Sequence, residues 1–161
     1  MKRLVLSVIL VFGLTGPLRA AGFEEGSLAY HRGDHAEALR IWRPLAEQGD
    51  ARAQYSLGLM YYRGEGVLPD LAEAAKWYRS AADRGDPDAQ LNLGLMYALG
   101  EGVRKNYVQA YKWFALAYWA YGPGEFRLMA EKNRENAAAA MTPAQISRAE
   151  RLVRAWKPKR R

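Results

Sequence analysis

From residue 51 onward, apolar positions recur at offsets of three and four, stop at a cluster of glycines, and then resume. Ala53, Leu57, Met60 and Tyr61 form one such stripe, which predicts a helix over 51–63. Ala74, Trp77, Tyr78 and Ala81 form a second, which predicts a helix over 71–84. Between them, Gly64-Glu65-Gly66-Val67-Leu68-Pro69-Asp70 carries dense turn chemistry. Gly64 suits a left-handed C-terminal cap, Gly66 permits a second unusual backbone angle, and Asp70 is placed as N-cap of the following helix. Gly49-Asp50 and Gly85-Asp86-Pro87 punctuate the outer boundaries.

The whole pattern then returns. Ala53-Gln54-Tyr55-Ser56-Leu57-Gly58-Leu59-Met60-Tyr61 reappears 36 residues later as Ala89-Gln90-Leu91-Asn92-Leu93-Gly94-Leu95-Met96-Tyr97. Gly64-Glu65-Gly66-Val67 is answered by Gly100-Glu101-Gly102-Val103, and Asp70 by Asn106. The stripe of the second helix is answered by Ala110, Trp113, Phe114 and Ala117. A period of this length signals a stacked array of small units, here helix hairpins. A shorter first unit precedes them, with helices expected over 23–32 and 35–47, a turn at Gly33-Asp34, and Ala38, Trp42 and Leu45 facing inward. Gly58 and Gly94 lie inside helices, where glycine costs about 1 kcal/mol relative to alanine. Their recurrence at one phase predicts a close approach of the neighbouring helix backbone.

Ala-Gln-x-x-Leu-Gly-x-Met-Tyr, then Gly-Glu-Gly-Val, then Ala-x-Lys-Trp-Tyr/Phe resembles the Sel1-like repeat family, a branch of the tetratricopeptide superfamily. The resemblance covers residues 23 to about 121 and implies an all-α fold, an α-solenoid of antiparallel helix pairs. It divides the chain into units of about 23–50, 51–86 and 87–121. It also implies a scaffold or adaptor that binds a partner protein or peptide on the face made by the first helices. Many bacterial members are exported and act in the envelope. Carried over through the Leu-Gly anchor, the superfamily's groove positions fall on Arg52, Tyr55, Ser56, Leu59, Tyr62 and Arg63 in the second unit. In the third they fall on Asp88, Leu91, Asn92, Leu95, Ala98 and Leu99, and in the first on Glu24, Ser27, Tyr30 and His31. A few cysteine-rich members are linked to β-lactam binding and hydrolysis, and this chain has no cysteine. An envelope hydrolase acting on β-lactams or cell wall therefore stands as the alternative without its main support.

Gly122-Pro123-Gly124 ends the repeats. Helices are expected over 125–141 and 143–157, the last opened by Thr142 as N-cap, Pro143 at the first helical position and Gln145 reaching back. Ile146, Ala149, Leu152, Val153 and Trp156 give it an apolar face, which suits a cap on the open end of the array. Tyr111, Tyr118, Trp119 and Tyr121 exceed one buried stripe. They divide between packing on this cap and an exposed aromatic patch.

The N-terminus adds a location. Met1-Lys2-Arg3, the apolar run Leu4–Leu14 and the small residues Ala20-Ala21-Gly22 read as a signal peptide over 1–22, with periplasmic or secreted delivery. The run is too short to span a bilayer. An exported chain without cysteine must hold its fold by packing alone. Loss of Lys2, Arg3 and Arg19 reduces the net charge from +7 to +4, much of it in the basic tail 158–161 and its neighbour Lys157. That tail could meet an anionic surface, the cell wall included. Nucleic acid is not an expected partner.

No catalytic set stands out, and the expectation is a non-enzymatic protein without cofactor or metal. There is no thiol nucleophile, and the two histidines, His31 and His35, are separated by a turn that spoils helical metal-ligand spacing. No serine sits in a strand–turn–helix elbow. The Gly-rich loops lack the Lys-Ser/Thr ending of a phosphate-binding loop.

Overall fold

A computed structural model describes residues 17–159, with side chains from residue 22 onward. Residues 1–16 of the expected leader over 1–22, and residues 160–161, lie outside the described residues. The described chain is all-helical: α1 Pro17–His31, α2 His35–Glu47, α3 Ala51–Arg63, α4 Leu71–Ala82, α5 Pro87–Leu99, α6 Tyr107–Ala120, α7 Glu125–Ala139 and α8 Pro143–Ala155. The first six form three hairpins, each stacked on the next through its neighbouring helix. This is the expected solenoid. α7 continues the stack on α6, while α8 turns back and lays its apolar side on α6 as well. α6 is consequently buried along most of its length, from Val108 to Ala117. That is the covering expected of the C-terminal helices.

Each hairpin is closed by the polar residues the sequence puts at its ends. Asp50, Asp70 and Asn106 accept hydrogen bonds from first-turn N–H groups of α3, α4 and α6, as an N-cap must. Thr142 and Gln145 form a reciprocal capping box on α8. The recurring Ala-Gln pair has a role of its own. Gln54 and Gln90 are 4% and 1% exposed, and their Nε2 groups donate to Ala46 O at 2.9 Å and Ala82 O at 3.1 Å. Each glutamine thus adds a donor from the next helix to a last-turn carbonyl that also accepts the N–H of Gly49 or Gly85. The alanine before it, fully buried, lets the two helices close.

The second glycine of each loop docks one unit on the last. Gly102 has φ +63°, and a Cβ there would lie 2.1 Å from Leu71 O, at the start of α4. Gly66 has φ +72°, and a Cβ there would lie 2.9 Å from the backbone of His35, at the start of α2.

Gly58 and Gly94 are tight for a different reason from the one expected. An added Cβ would lie 2.5 Å from the ring of Tyr78 and 2.6 Å from the ring of Phe114 respectively. An aromatic side chain of the same hairpin, not a neighbouring backbone, occupies the space. Tyr78 and Phe114 are among the largest fully buried side chains, so the glycine makes room for a core ring. The buried apolar residues fall into two clusters. The smaller holds Ala29, Ala38, Trp42, Ala46, Ala53, Leu57 and Met60. The larger runs from Ala74 through α5 and α6 to Ala130 and Ala137 of α7.

Several boundaries differ from expectation. α1 is already helical at Pro17, the first described residue, and not only from Phe23. The helix therefore runs through the expected cleavage region. α4 ends at Ala82 because Gly85 and Asp86 turn back onto Ala82 O and Ala81 O. α8 ends at Ala155, two residues before Pro158 could be approached in helical form. The start of the basic tail is not loose. Lys159 N–H donates to Asp83 O at 2.8 Å, and its Nζ lies 2.7 Å from Asp83 Oδ2.

One junction titrates. Burial pushes the Asp86 carboxyl up to about 6 from its usual 3.8, against the opposing pull of Ala89 N–H, which donates to it. The folded chain then holds a proton on Asp86 that the unfolded chain releases, between pH ~4 and ~6. This stabilising contribution is complete below about pH 4 and is lost as pH rises through about 6. Asp86→Asn keeps an acceptor for Ala89 and removes the charge. Its melting temperature, followed by circular dichroism, is expected to fall less steeply than that of the parent from pH 4 to 6. Parallel slopes would assign the titration elsewhere.

Candidate functional site

The first helices and the inner edges of the second helices leave two neighbouring hollows. One, of about 260 Å³, is bounded by Tyr55, Leu59, Tyr62 and Arg63 of α3, Asn92, Leu95 and Met96 of α5, and Tyr78 of α4. The other, of about 170 Å³, is bounded by Ser27, Tyr30 and His31 of α1, Trp42 of α2, and Ser56 and Leu59 of α3. Leu59 borders both, so the two hollows lie side by side across the three units.

Ten of the sixteen residues expected in a groove therefore come together here: Ser27, Tyr30, His31, Tyr55, Ser56, Leu59, Tyr62, Arg63, Asn92 and Leu95. Six do not, among them Leu91, Asp88 and Arg52. Leu91 is 5% exposed and belongs to the larger core cluster, because the backbone phase turns it toward α6 and α7. Asp88 accepts a hydrogen bond from Tyr121 Oη at 2.6 Å. Arg52 lies over the Phe23 ring at 4.2 Å, with Glu24 at 3.4 Å. Both close the rim, not the hollows. Tyr78, Trp42 and Met96 also line the walls; their apolar spacing marks them as core, and they are core residues whose edges reach the groove.

Polar contacts order the rim. Tyr30 Oη donates to Glu65 Oε2 at 2.5 Å, and Arg63 Nη1 donates to Tyr30 Oη at 3.3 Å. Tyr62 Oη donates to Glu101 at 3.0 Å. Burial, then the Glu65 hydrogen bond, raises the Tyr30 hydroxyl pKa. Burial, then the nearby charges of Asp88 and Asp86, raises that of Tyr55. The Glu101 hydrogen bond does the same for Tyr62. All three phenols stay neutral at physiological pH, so they act as hydrogen-bonding groups and not as bases or nucleophiles. His31 and His35 flank the Tyr30 ring, at centroid distances of 5.9 and 4.9 Å. They serve as aromatic neighbours of the groove wall. The extra aromatics of α6 are also placed: Tyr121 stacks on Phe126 of α7 at 5.6 Å, Arg127 of α7 covers Tyr118 at 4.3 Å, and Trp119 is 69% exposed.

A family model for the Sel1 repeat matches residues 20–50, 51–86 and 87–118. The chain belongs to the Sel1 repeat family. Two solved structures show the same architecture. A protective antigen present in uropathogenic Escherichia coli strains, displaying an SLR fold, is 32% identical, with a TM-score of 0.77 over 86% of this chain. A Sel1 repeat protein from Oxalobacter formigenes is 33% identical, with a TM-score of 0.61 over 67% of this chain. The match spans 29% and 48% of those two chains, so this Sel1 repeat protein aligns with a part of each. No curated protein matches it. Sel1 repeats commonly mediate protein–protein interaction, and proteins of this fold are typically non-enzymatic scaffolds.

Proposed function

We propose that this Sel1 repeat protein is a non-enzymatic adaptor of the bacterial envelope that holds a segment of a partner protein in the groove of α1, α3 and α5. The observation that carries the reading is the place of Leu59: two hollows that share it lie side by side across three units and together form a trough-like row. Such a trough suits an extended peptide better than a compact metabolite. Its floor is apolar at Leu59 and Leu95, and its rim offers Tyr55, Asn92 and Arg63 to main-chain groups. Tyrosine and arginine are residue types that often dominate binding energy. The leader-like segment over 1–22 supports delivery to the periplasm or beyond.

The test is capture. The chain from Phe23 onward is immobilised and exposed to envelope extract beside the variant Leu59→Glu/Arg63→Glu. Both positions lie on the groove wall outside the two core clusters, so the melting temperature is expected to stay close to the parent's. One dominant protein retained by the parent and reduced at least tenfold on the variant is the expected result. Equal retention would move the interface away from the groove. The exposed aromatic residues around Trp119 and Phe126 would then be the next surface to probe.

A further inference from the structure

A hollow larger than either part of the groove lies elsewhere on the described residues. A cleft of about 830 Å³ lies between α4, the α5–α6 loop and α8, and shares no lining residue with the two groove hollows. Four cations border it, Arg79, Arg104, Lys105 and Arg148, and no aspartate or glutamate does. Among the described residues none of the four is ion-paired. The nearby Asp83 carboxylate is already taken by Lys159.

The repeat itself supplies a control for this charge. Thirty-six residues upstream, the second unit builds the same loop and helix start with Leu68, Pro69, Asp70 and Glu73. The third unit has Arg104, Lys105, Asn106 and Gln109 at those positions. Two apolar residues have become cations and two carboxylates have become amides, while both loops keep their cap geometry. The scaffold does not require the change, so the positive charge needs another explanation. Arg79 is different: it bonds Tyr97 Oη as Arg43 bonds Tyr61 Oη one unit earlier. It belongs to the scaffold, and the cleft makes use of it. The C-terminal helix then closes the site, because folding α8 back onto α6 brings Gln145 and Arg148 to the same hollow.

We infer that this cleft binds a phosphate-bearing small molecule. Guanidinium groups match phosphate oxygens through paired hydrogen bonds, and Lys105 adds a point charge. Asn106 Oδ1 accepts from Gln109 N–H, and Gln145 Oε1 accepts from Thr142 N–H. The amide NH2 groups of both are thereby left as donors for an anion. Tyr97, Tyr107 and Val103 provide an apolar wall for the rest of such a ligand. Charge drawn from three elements into one hollow favours a compact, multiply charged group over an extended acidic chain.

Pyrophosphate is the probe, titrated calorimetrically into the full chain at fixed ionic strength beside chloride and a hexa-aspartate peptide. Two variants accompany it. One installs the second unit's residues, R104L/K105P/N106D/Q109E. The other, Arg104→Glu/Arg148→Glu, changes two exposed side chains and keeps the test valid if the first misfolds. Saturable pyrophosphate binding, weakened at least tenfold in each folded variant with the melting temperature retained, is the expected result. Binding unaltered in the variants would overturn the site, as would pyrophosphate held no better than chloride. Hexa-aspartate bound more tightly than pyrophosphate would overturn the ligand class.

Discussion

Gly102→Ala is expected to lower the melting temperature by about 10 °C, the largest loss for the smallest added volume anywhere in the chain. Two costs combine. A non-glycine residue at φ +63° pays about 1–2 kcal/mol for left-handed backbone. The methyl group would also stand 2.1 Å from Leu71 O and 2.3 Å from Leu71 C, which are backbone atoms without rotamers to retreat into. Overpacking of that kind costs about 1–3 kcal/mol. Gly33→Ala separates the terms, because Gly33 has φ +82° and nothing within 4 Å of an added Cβ. It should cost only the backbone term, about 1 kcal/mol. Equal losses in the two variants, measured by thermal or urea unfolding, would show that loop docking on α4 contributes nothing.

Gly94→Leu is expected to destabilise by about 2–4 kcal/mol even though leucine gains roughly 1 kcal/mol of helix propensity. The ring of Phe114 fills the space at 2.6 Å, and Phe114 is 1% exposed, so it cannot swing outward without opening a cavity. A double-mutant cycle tests the cause. Phe114→Ala alone should cost about 3–5 kcal/mol. In a Gly94→Ala background it should cost at least 1 kcal/mol less, since each change relieves the other. Strict additivity would mean that the glycine is tolerated for some reason unconnected with the ring.

Elements closed by side-chain chemistry were legible in the sequence to the residue. α2 and α3 have the expected limits because Asp34, Asp50 and Gly64 fix them locally. Other ends were not: α4 stops at Ala82, where Gly85 N–H and the next unit's Gln90 both take the Ala82 carbonyl, and α1 is already helical at Pro17. The groove positions came through the family resemblance, and Tyr55, Leu59, Tyr62 and Arg63 share one face of α3 at the same hollow. Phase alone could not place Leu91, since on α5 the face directed to the groove and the face directed to α7 are both apolar. The basic cleft depends on α8 returning to α6, which no local pattern encodes. The exchange of Asp70 and Glu73 for Asn106 and Gln109 was nevertheless available in the repeat alignment.

The division of the apolar core into two clusters bears on how the molecule opens. Helix arrays of this kind have stabilities that sum over units and junctions, so a small terminal cluster can open while the remainder stays folded. The seven residues around Trp42 form the minor unit, and the cluster spanning α4 to α7 the major one. Leu59 stands at the seam between them. A ligand seated only beside Trp42 would protect the weaker unit against transient opening. One lying across Leu59 would hold both units in the same cooperative transition, its binding free energy added to the opening of either. Amide hydrogen exchange in α1 and α2 would therefore slow to the rate of α5 and α6 once the trough is filled.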